Sequence, residues 1–383
     1  MLGSSLVTTP PTTPRKGAPA SSARPAKSPA GSVRGRGAAA NPRNRFERID
    51  VDFEPGESTA ERGDVPPTEL FRDDSKTVLS KNDSPDLGFQ YSLNPYRGCE
   101  HGCIYCYARP THEYLGFSAG LDFESRILVK ERAPELLRRA LENPRWTPQV
   151  IMLSGVTDPY QPIERRLRVT RRCLEILAEF RNPVAIVTKN HLVTRDIDLL
   201  LELNRFQACG VYLSITSVSP SLSARMEPRA SSPRRRLQAL RELSQAGIPC
   251  GVMAAPIIPS LNDDQIPAIL KAAAEAGATR AGYILVRLPH GLRKLFADWL
   301  GTHFPDRRDR VLNRLREARD GNLNDPRFHH RMKGGGEYAE QIGRLFETVR
   351  RRVGLDGGRT GRTGSPSAAS FRRRTAQRTL FHP

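Results

Sequence analysis

Between residues 89 and 303, short apolar runs alternate with longer amphipathic stretches. Such alternation is typical of strand–helix units that build a parallel β-sheet with helices on its faces. Gly247 and Gly277 directly follow two amphipathic stretches, where a glycine commonly ends a helix. The apolar runs predict six strands, over residues 89–93, 149–153, 184–188, 210–215, 250–254 and 282–286. The amphipathic stretches predict helices over residues 133–143, 169–180, 196–204, 233–246, 263–276 and 291–300.

Six strand–helix units are fewer than the eight that close a full α/β barrel. In parallel α/β barrels the chemistry gathers on the loops that follow the carboxyl ends of the strands. We therefore look for functional residues directly after each predicted strand. Residues 307–319 and 337–353 predict two additional helices that cover one side of the barrel.

The two ends of the 383-residue chain differ in composition from this middle part. Residues 1–45 contain eight Lys or Arg and no acidic residue, and residues 357–383 contain six Arg and no acidic residue. Their Pro-, Ser-, Ala- and Gly-rich background buries too little apolar surface to offset the conformational entropy of an ordered chain. The composition predicts a disordered basic N-terminal extension over 1–65, a core over 66–305, a helical extension over 306–356 and a disordered basic tail over 357–383.

The two ends carry most of the formal net charge of +19, because only +5 remains for residues 46–356. Clustered positive charge suits sequence-independent contact with phosphates, so a nucleic acid is one expected partner. A solubilising tail is an equal alternative, and an organellar transit peptide is a third, which the proline content disfavours. No apolar run approaches the length of a membrane span and no signal-peptide pattern is present, so we expect a cytoplasmic protein without a membrane partner.

Three of the six cysteines stand close together, at Cys99, Cys103 and Cys106, and Tyr105 directly precedes the last one. Thiolates are the usual ligands of iron–sulfur clusters, so these three would hold three corners of a four-iron cube and leave one iron open. The glycines beside them suit a backbone that wraps closely around a cluster. The other three cysteines are dispersed, and we expect them to be small buried hydrophobic residues.

The same three cysteines also fit a structural zinc site, with His101 or His112 as the fourth ligand. Zinc sites favour paired C-x2-C units, which disfavours this alternative. It would make the chain a zinc-stabilised nucleic-acid-binding protein whose basic tails do the binding.

The C-x3-C-x-aromatic-C motif of residues 99–106 resembles that of the radical S-adenosylmethionine (SAM) enzymes. The resemblance implies an open (βα)6 core, a partial TIM barrel, with a [4Fe-4S] cluster on Cys99, Cys103 and Cys106. It also implies that SAM binds the open iron and is cleaved reductively to a 5′-deoxyadenosyl radical, which abstracts hydrogen from a substrate. An electron donor such as flavodoxin or ferredoxin is then an expected partner.

This resemblance assigns SAM contacts to the loops that follow the later strands. After the second strand, Thr157 and Asp158 offer hydroxyl and carboxylate acceptors for an amino group, although an ordinary turn is the alternative. After the third strand, Lys189 is either a point charge for the SAM carboxylate or a surface lysine. The expected cofactor contacts are Tyr105, Ser154, Thr157, Asp158, Lys189 and Ser214.

Three segments are together similar to a narrower group, the radical SAM proteins related to spore photoproduct lyase. These segments are residues 94–98, 157–162 and 188–189. The similarity covers about residues 70–300 and implies a DNA-repair, lyase-like enzyme. It also implies that SAM is held by residues at the positions of Thr157, Lys189 and Ser214.

The chain departs from this group at one position. The spore lyase has a hydrogen-donating cysteine on its second strand, and Gly155 stands there in this sequence. Three tyrosines near the cysteines, in sequence or in the expected fold, are alternative hydrogen relays: Tyr105, Tyr107 and Tyr160. Buried tyrosines, however, more often serve packing.

The nature of the substrate stays open at the level of sequence. Residues 225–236 carry five arginines after the fourth strand, and these fit phosphate contacts or a solvated loop equally well. The first interpretation is a radical SAM enzyme acting on a nucleic acid. The second keeps the same chemistry on a protein or small molecule, because no base-reading motif decides between them.

Overall fold

The computed structural model describes residues 33, 35–46, 67–153, 155–357 and 365–373. Its strands are β1 (Glu69–Arg72), β2 (Leu79–Lys81), β3 (Tyr91–Leu93), β4 (Tyr96–Arg97), β5 (Arg126–Val129), β6 (Ile151–Leu153), β7 (Val184–Thr188), β8 (Cys209–Ser214), β9 (Cys250–Ile257) and β10 (Arg280–Leu285). Its α-helices are α1 (Asp122–Ser125), α2 (Ala133–Glu142), α3 (Glu164–Leu167), α4 (Val169–Phe180), α5 (Ile197–Asn204), α6 (Pro220–Met226), α7 (Pro233–Gln245), α8 (Ile266–Glu275), α9 (Leu292–His303), α10 (Pro305–Glu317) and α11 (Gly336–Arg352).

The main sheet of the described chain has the strand order β10-β9-β8-β7-β6-β3-β2. The strands β3 and β6 to β10 run parallel and neighbour one another in chain order, while β2 pairs antiparallel with β3 at the edge. A sheet whose parallel strands follow chain order curls in one direction, as in α/β barrels. The six predicted strands are therefore confirmed, and so is the partial (βα)6 barrel.

One buried row of apolar side chains crosses this sheet and shows why the register is well determined. The paired positions are Leu93, Leu153, Ile186, Val211 and Cys250, and all five are buried. A shift of one residue in any of these strands would turn its apolar side chains to the opposite face. Burial of this row therefore fixes where each strand ends, and with it the position of each loop.

Helices cover the outside of the sheet, with α4 packed between α2 and α5, and α8 packed between α7 and α11. The predicted bounds of β7 and α4 are correct to the residue. The strand β9 continues to Ile257, three residues beyond its prediction. The two helices predicted beyond residue 305 are present as α10 and α11.

A second, three-stranded sheet with the order β1-β5-β4 lies next to the barrel and was not predicted. Its strands have four residues or fewer. The strand β5 alternates buried with partly exposed positions, and β1 has no buried position, so neither forms a buried apolar run. Short strands of this kind are stabilised by their tertiary surroundings more than by local sequence. The helix α1 lies between this sheet and the cysteine loop.

Short parts of both basic extensions pack on the core. Residues 36–38 are buried beside the cysteine loop. At the opposite end of the barrel, the Phe371 ring lies 6.3 Å from the Phe180 ring, and the Arg372 amide donates to the Phe180 carbonyl at 2.9 Å. The composition did not reveal these contacts. Residues 1–32, 47–66 and 374–383 lie outside the described residues, and the predicted domain boundaries stay predictions.

A span across a lipid bilayer is not found in the part of the chain that the structure describes: none of its helices is both long and apolar enough.

Candidate active site at the carboxyl ends of the barrel strands

The cysteine loop follows β3, the first barrel strand, and the two-residue strand β4, so it lies at the carboxyl end of β3. Gly98 and Gly102 have φ values of 77° and 65°, a left-handed region that favours glycine. A Cβ at Gly98 would lie 2.9 Å from the Phe123 carbonyl oxygen, and one at Gly102 would lie 2.5 Å from Glu124 Oε2. The sharp, tightly packed loop around the cysteines therefore requires glycine at both positions.

The donor set of this loop fits a [4Fe-4S] cluster. Cys99, Cys103 and Cys106 are all free thiols, and burial raises the pKa of each. Thiols bind iron as thiolates, so they release protons when they bind a metal. Lys189 lies near enough to Cys103 and Cys106 to favour their charged form, and positive charge of this kind compensates an anionic cluster.

The zinc alternative is less compatible with the geometry. Among the described residues, no three or more His, Cys, Asp and Glu side chains converge closely enough to hold one metal ion. Each thiolate of a cube binds a different iron, so a cube does not require such convergence. His101 contacts Asp158 at 3.3 Å and Asn190 at 3.2 Å, and His112 Nε2 lies 2.9 Å from the Arg126 carbonyl oxygen. Each candidate fourth ligand therefore has a partner within the protein at Nε2. Among the described residues, the buried Nδ1 of both histidines has no hydrogen-bond partner of good geometry, although His101 Nδ1 keeps its 3.3 Å contact with Asp158.

The loop after β6 supports the cysteine loop. The Thr157 hydroxyl donates to the Gly98 carbonyl at 2.7 Å. Asp158 accepts hydrogen bonds from the Thr188 hydroxyl at 2.7 Å and from the Lys189 amide at 2.8 Å. Burial opposes the charge of Asp158, but His101 and these donors hold its pKa below the usual range. Because both carboxylate oxygens are engaged, we propose that Asp158 positions the two loops instead of binding SAM. Ser154 lies outside the described residues.

The ends of β7 and β8 bring Lys189 and Ser214 together. Lys189 Nζ donates to Ser214 Oγ at 2.5 Å and to the Ala255 carbonyl at 3.2 Å. The same ammonium group lies 5.6 Å from the centre of the Tyr105 ring. Three of the expected SAM contacts thus form one group beside the cysteines.

Glu227 lies at the centre of this group, and sequence reasoning missed it. Its carboxylate is fully buried and accepts hydrogen bonds from Tyr105, Thr216 and Arg236, while Lys189 Nζ lies 3.5 Å away. Burial opposes ionisation, but Arg236 and Lys189 hold the pKa of Glu227 well below its usual range. Nothing in the local sequence after α6 marks this glutamate, because its partners come from distant loops.

The arginines of residues 225–236 do not act as one surface. Arg236 is fully buried and donates to the carbonyls of Ser231 and Ser214 at 2.7 and 2.9 Å. Arg229 pairs with Glu100 at 3.1 Å. These two guanidinium groups therefore bind groups of the protein itself.

Gly155 follows β6 close to the cysteine loop. A Cβ there would lie 3.3 Å from Asn94 Nδ2, a tight contact that a longer side chain would have to avoid. The hydroxyl of Tyr107, the residue after the last cysteine, donates to the Gly155 carbonyl. The Tyr107 hydroxyl therefore lies next to Gly155.

The mouth of the barrel is rimmed by exposed aromatic rings. Among the described residues, the exposed aromatic side chains are Phe46, Tyr107, Tyr114 and Phe328. A guanidinium group lies over each ring, at 4.7 Å for Phe46, 5.0 Å for Tyr107, 5.2 Å for Tyr114 and 4.6 Å for Phe328. The arginines involved are Arg45, Arg287 and Arg331. We call these seven residues the aromatic rim.

Two sequence positions and one hydrogen bond place Tyr107, Arg287 and Arg331 at the carboxyl ends of the strands. Tyr107 directly follows the cysteine motif, and Arg287 follows β10. The Leu285 amide donates to the Met332 carbonyl at 2.8 Å, which brings Arg331 beside the same strand end. Burial and the nearby Arg45 lower the pKa of His290 in the loop after β10.

A partial (βα)6 barrel with a three-cysteine loop after its first strand defines a class of SAM-dependent radical enzymes. Residues 93–273 match the family model described as the radical SAM superfamily. An uncharacterized protein of Mycobacterium bovis is 35% identical over 245 residues, which are 63% of this chain and 71% of that protein. An uncharacterized protein of Methanocaldococcus jannaschii is 32% identical over 51% of this chain and 70% of its own length. The chain belongs to the radical SAM superfamily.

Among solved structures, spore photoproduct lyase complexed with dinucleoside spore photoproduct has a similar fold, with a TM-score of 0.53 and 18% identity. The match covers 72% of this chain and 77% of that one. Members of the superfamily bind a [4Fe-4S] cluster and SAM and generally need a reductant. When bound, this cofactor pair supplies a 5′-deoxyadenosyl radical that abstracts hydrogen. The protein is therefore an enzyme of this type.

Proposed function

We propose that this protein is a radical SAM enzyme that abstracts hydrogen from a nucleic acid. The observation that supports the substrate is the aromatic rim, in which each exposed ring at the barrel mouth lies against an arginine. Proteins that bind single-stranded or unpaired nucleic acids combine aromatic rings, on which bases stack, with positive charge along the phosphates. Arg287 beside Tyr107 supplies both features at one position. Arg45 and Arg331 form ion pairs with Glu113 at 3.0 Å and with Asp86 at 2.6 Å, so they mainly hold their rings in place.

The roles of the remaining site residues follow from their contacts. We assign Cys99, Cys103 and Cys106 to the cluster. Lys189 and Ser214 face the same space as the thiols and offer an ammonium group and a hydroxyl for SAM. The hydroxyl of Thr157 donates to the Gly98 carbonyl and accepts a hydrogen bond from Gln161 Nε2 at 3.1 Å, and we assign it to the amino group of SAM because a hydroxyl oxygen can accept more than one hydrogen bond.

Glu227 holds Lys189 and Tyr105 in place, since it accepts a hydrogen bond from the tyrosine and lies 3.5 Å from the ammonium group. The tyrosine ring thereby closes one wall of the SAM site. When bound, the cluster and SAM would supply the radical that takes a hydrogen atom from a C–H bond of the nucleic acid. One electron per SAM would come from a donor such as flavodoxin or ferredoxin, and methionine would be released.

The spore lyase returns hydrogen to its product through a thiol, and the corresponding position here is Gly155. The proposal is therefore limited to hydrogen abstraction, and the final product is not assigned to a lyase reaction. A protein or small-molecule substrate is the competing outcome.

The substrate can be tested with anaerobically reconstituted protein, SAM, a chemical reductant and uniformly deuterated single-stranded DNA or RNA oligonucleotides. We expect the nucleic acid to accelerate SAM cleavage and deuterium to appear in 5′-deoxyadenosine. If a peptide or metabolite mixture transfers hydrogen and no oligonucleotide does, the nucleic-acid substrate is wrong.

The aromatic rim itself makes a separate prediction. Loss of one stacked base costs about 1–3 kcal/mol, so Tyr114→Ala and Phe328→Ala should each weaken binding of a fluorescent single-stranded oligonucleotide roughly tenfold or more. Leu201→Ala is the matched control, because Leu201 is an exposed apolar residue on α5 away from the rim. Equal affinities for all three variants and the unmodified protein would remove the rim from the substrate site.

A further inference from the structure

Residues 35–46 lie against the outer side of the cysteine loop, although their composition resembles that of the basic extension. Arg36 and Ala38 are 6% and 1% exposed, and Gly37 between them is also buried. A short segment far from the barrel in sequence is thus built into the structure around the cysteines.

The segment is attached through Glu124, a fully buried residue of α1. The amides of Gly37 and Ala38 donate to its two carboxylate oxygens at 2.9 and 2.8 Å. The Arg36 guanidinium donates to the Glu124 carbonyl at 2.6 Å. Without the segment, this buried carboxylate would lose a donor at each oxygen, and buried groups left without partners are costly.

Glu124 connects the segment to a ligand position. Its carboxylate pairs with Arg109, which is also fully buried. Arg109 Nε donates to the Cys103 carbonyl at 2.9 Å, and its Nη1 donates to the Gly120 carbonyl at 2.8 Å. Two buried, oppositely charged side chains therefore link the amides of Gly37 and Ala38 to the backbone of the second cysteine.

Gly37 also contacts the cysteine loop directly. A Cβ at this position would lie 1.8 Å from the Gly102 carbonyl oxygen and 3.2 Å from the Ile104 amide. Gly102 makes the left-handed turn between Cys99 and Cys103. Only a residue without a side chain can lie flat on that turn, so the contact is specific to glycine.

A second group of contacts fixes the rest of the segment. The buried Asn44 amide donates to the carbonyls of Glu113 and Phe117 at 2.9 and 3.1 Å. Asn41 and Asp122 exchange two hydrogen bonds of 2.9 Å. Attachment at both ends keeps the segment on the loop.

We infer that residues 35–46 form an N-terminal clamp, which holds the cysteine loop in its cluster-binding conformation and covers its outer side against water and oxygen. The clamp residues are positioning residues, since they act through Glu124, Arg109 and the loop backbone. The inference rests on the proposed assignment of Cys99, Cys103 and Cys106 to the cluster.

The test compares full-length Gly37→Val and Asn44→Ala with the unmodified protein and with Gly88→Val. Gly88 is the matched control, because nothing lies within 4 Å of a Cβ at that position. After anaerobic reconstitution, iron and sulfide per chain, the electron paramagnetic resonance spectrum of the reduced protein and the rate of cluster bleaching in air are measured. Circular dichroism of the iron-free proteins reports the fold.

We expect the cluster to bleach about tenfold faster in Gly37→Val, as the loss of two buried hydrogen bonds predicts, and several-fold faster in Asn44→Ala. Circular dichroism should be unchanged, and Gly88→Val should match the unmodified protein. If Gly37→Val does not fold, the Asn44→Ala result decides. Normal iron content and bleaching rates in the folded clamp variants would overturn the clamp alone, whereas an unmodified protein that assembles no four-iron cluster would overturn the cluster assignment and the proposed function.

Discussion

Glu227 and Arg236 illustrate how single buried charges organise the candidate site. Both side chains are fully buried, and they form an ion pair beside Lys189 and Tyr105. A buried pair contributes little net stability over apolar packing, but removal of one partner leaves the other charge uncompensated. Such a pair therefore serves to place the groups around it.

Glu227→Gln should lower the free energy of unfolding by about 3 kcal/mol, because it leaves Arg236 buried without a counter-charge. The measurement is urea unfolding of the iron-free protein at neutral pH. Glu202→Gln is the control, since Glu202 forms an exposed pair with Arg205, and exposed pairs of this kind contribute at most about 1 kcal/mol. Equal unfolding midpoints for the two variants would contradict the role of Glu227.

His112 makes stability depend on pH. Burial lowers its pKa to about 4, from a usual value of 6.5. Between these two values the unfolded chain binds more protons than the folded one, so stability is lost as the pH falls from 6.5 towards 4. We expect this residue to make the protein about 2 kcal/mol less stable at pH 5 than at pH 7.

The check is urea unfolding of iron-free protein at both pH values. His112→Gln should reduce the difference between pH 5 and pH 7 by about 2 kcal/mol, whereas His329→Gln, at an exposed histidine, should retain it. An undiminished pH difference in His112→Gln would show that His112 is not the titrating group.

At the scale of elements, the parallel pairing of β7 with β8 decides which loops meet. Thr188 pairs with Leu213, so the residues that follow each of them, Lys189 and Ser214, lie side by side. The sequence places each residue at the end of an apolar run. Their proximity follows because parallel neighbours end at the same edge of the sheet.

Lys189→Met should weaken SAM binding about tenfold, because a hydrogen bond to a charged group contributes about 1.5–3 kcal/mol. Calorimetric titration of cluster-loaded protein under anaerobic conditions measures the affinity, and the iron content should remain normal. Lys294→Met, at an exposed lysine on α9, should bind SAM normally. Unchanged SAM affinity in Lys189→Met would remove Lys189 from the site.

At the scale of the whole molecule, the important property is the distribution of positive charge along the chain. Eight of the basic residues lie within residues 1–45, where no acid offsets them. Binding through phosphate contacts weakens as the salt concentration rises, and the slope of log affinity against log salt is proportional to the number of contacts. Base stacking does not contribute to that slope. Tail charge and the aromatic rim should therefore leave different signatures on nucleic-acid binding.

Replacement of Arg15, Lys16, Arg24 and Lys27 by Gln should reduce the slope of log affinity against log salt by up to about 3 for single-stranded DNA. Tyr114→Ala should lower affinity at every salt concentration and leave the slope nearly unchanged. Fluorescence anisotropy over a salt series measures both. An unaltered slope in the four-fold variant would assign the tail a role other than phosphate contact.

Local sequence was sufficient for the barrel and for the cysteine motif. The bounds of β7 and α4 follow from apolar periodicity, which reports burial directly. The spacing of Cys99, Cys103 and Cys106 places three thiols within a single loop, whatever the rest of the chain does. These features depend only on residues that are close together in sequence, so they can be recognised without knowledge of the fold.

Tertiary structure alone decided the features that join distant parts of the chain. Glu227 comes to Lys189 from another loop, Phe328 reaches the barrel mouth from the segment between α10 and α11, and Gly37 lies on Gly102 from within a segment that composition alone assigns to a basic tail. Each of these contacts depends on which surfaces the fold brings together. Composition and periodicity describe the average environment of a segment, but they carry no information on the partner that a buried charge or a single glycine will meet.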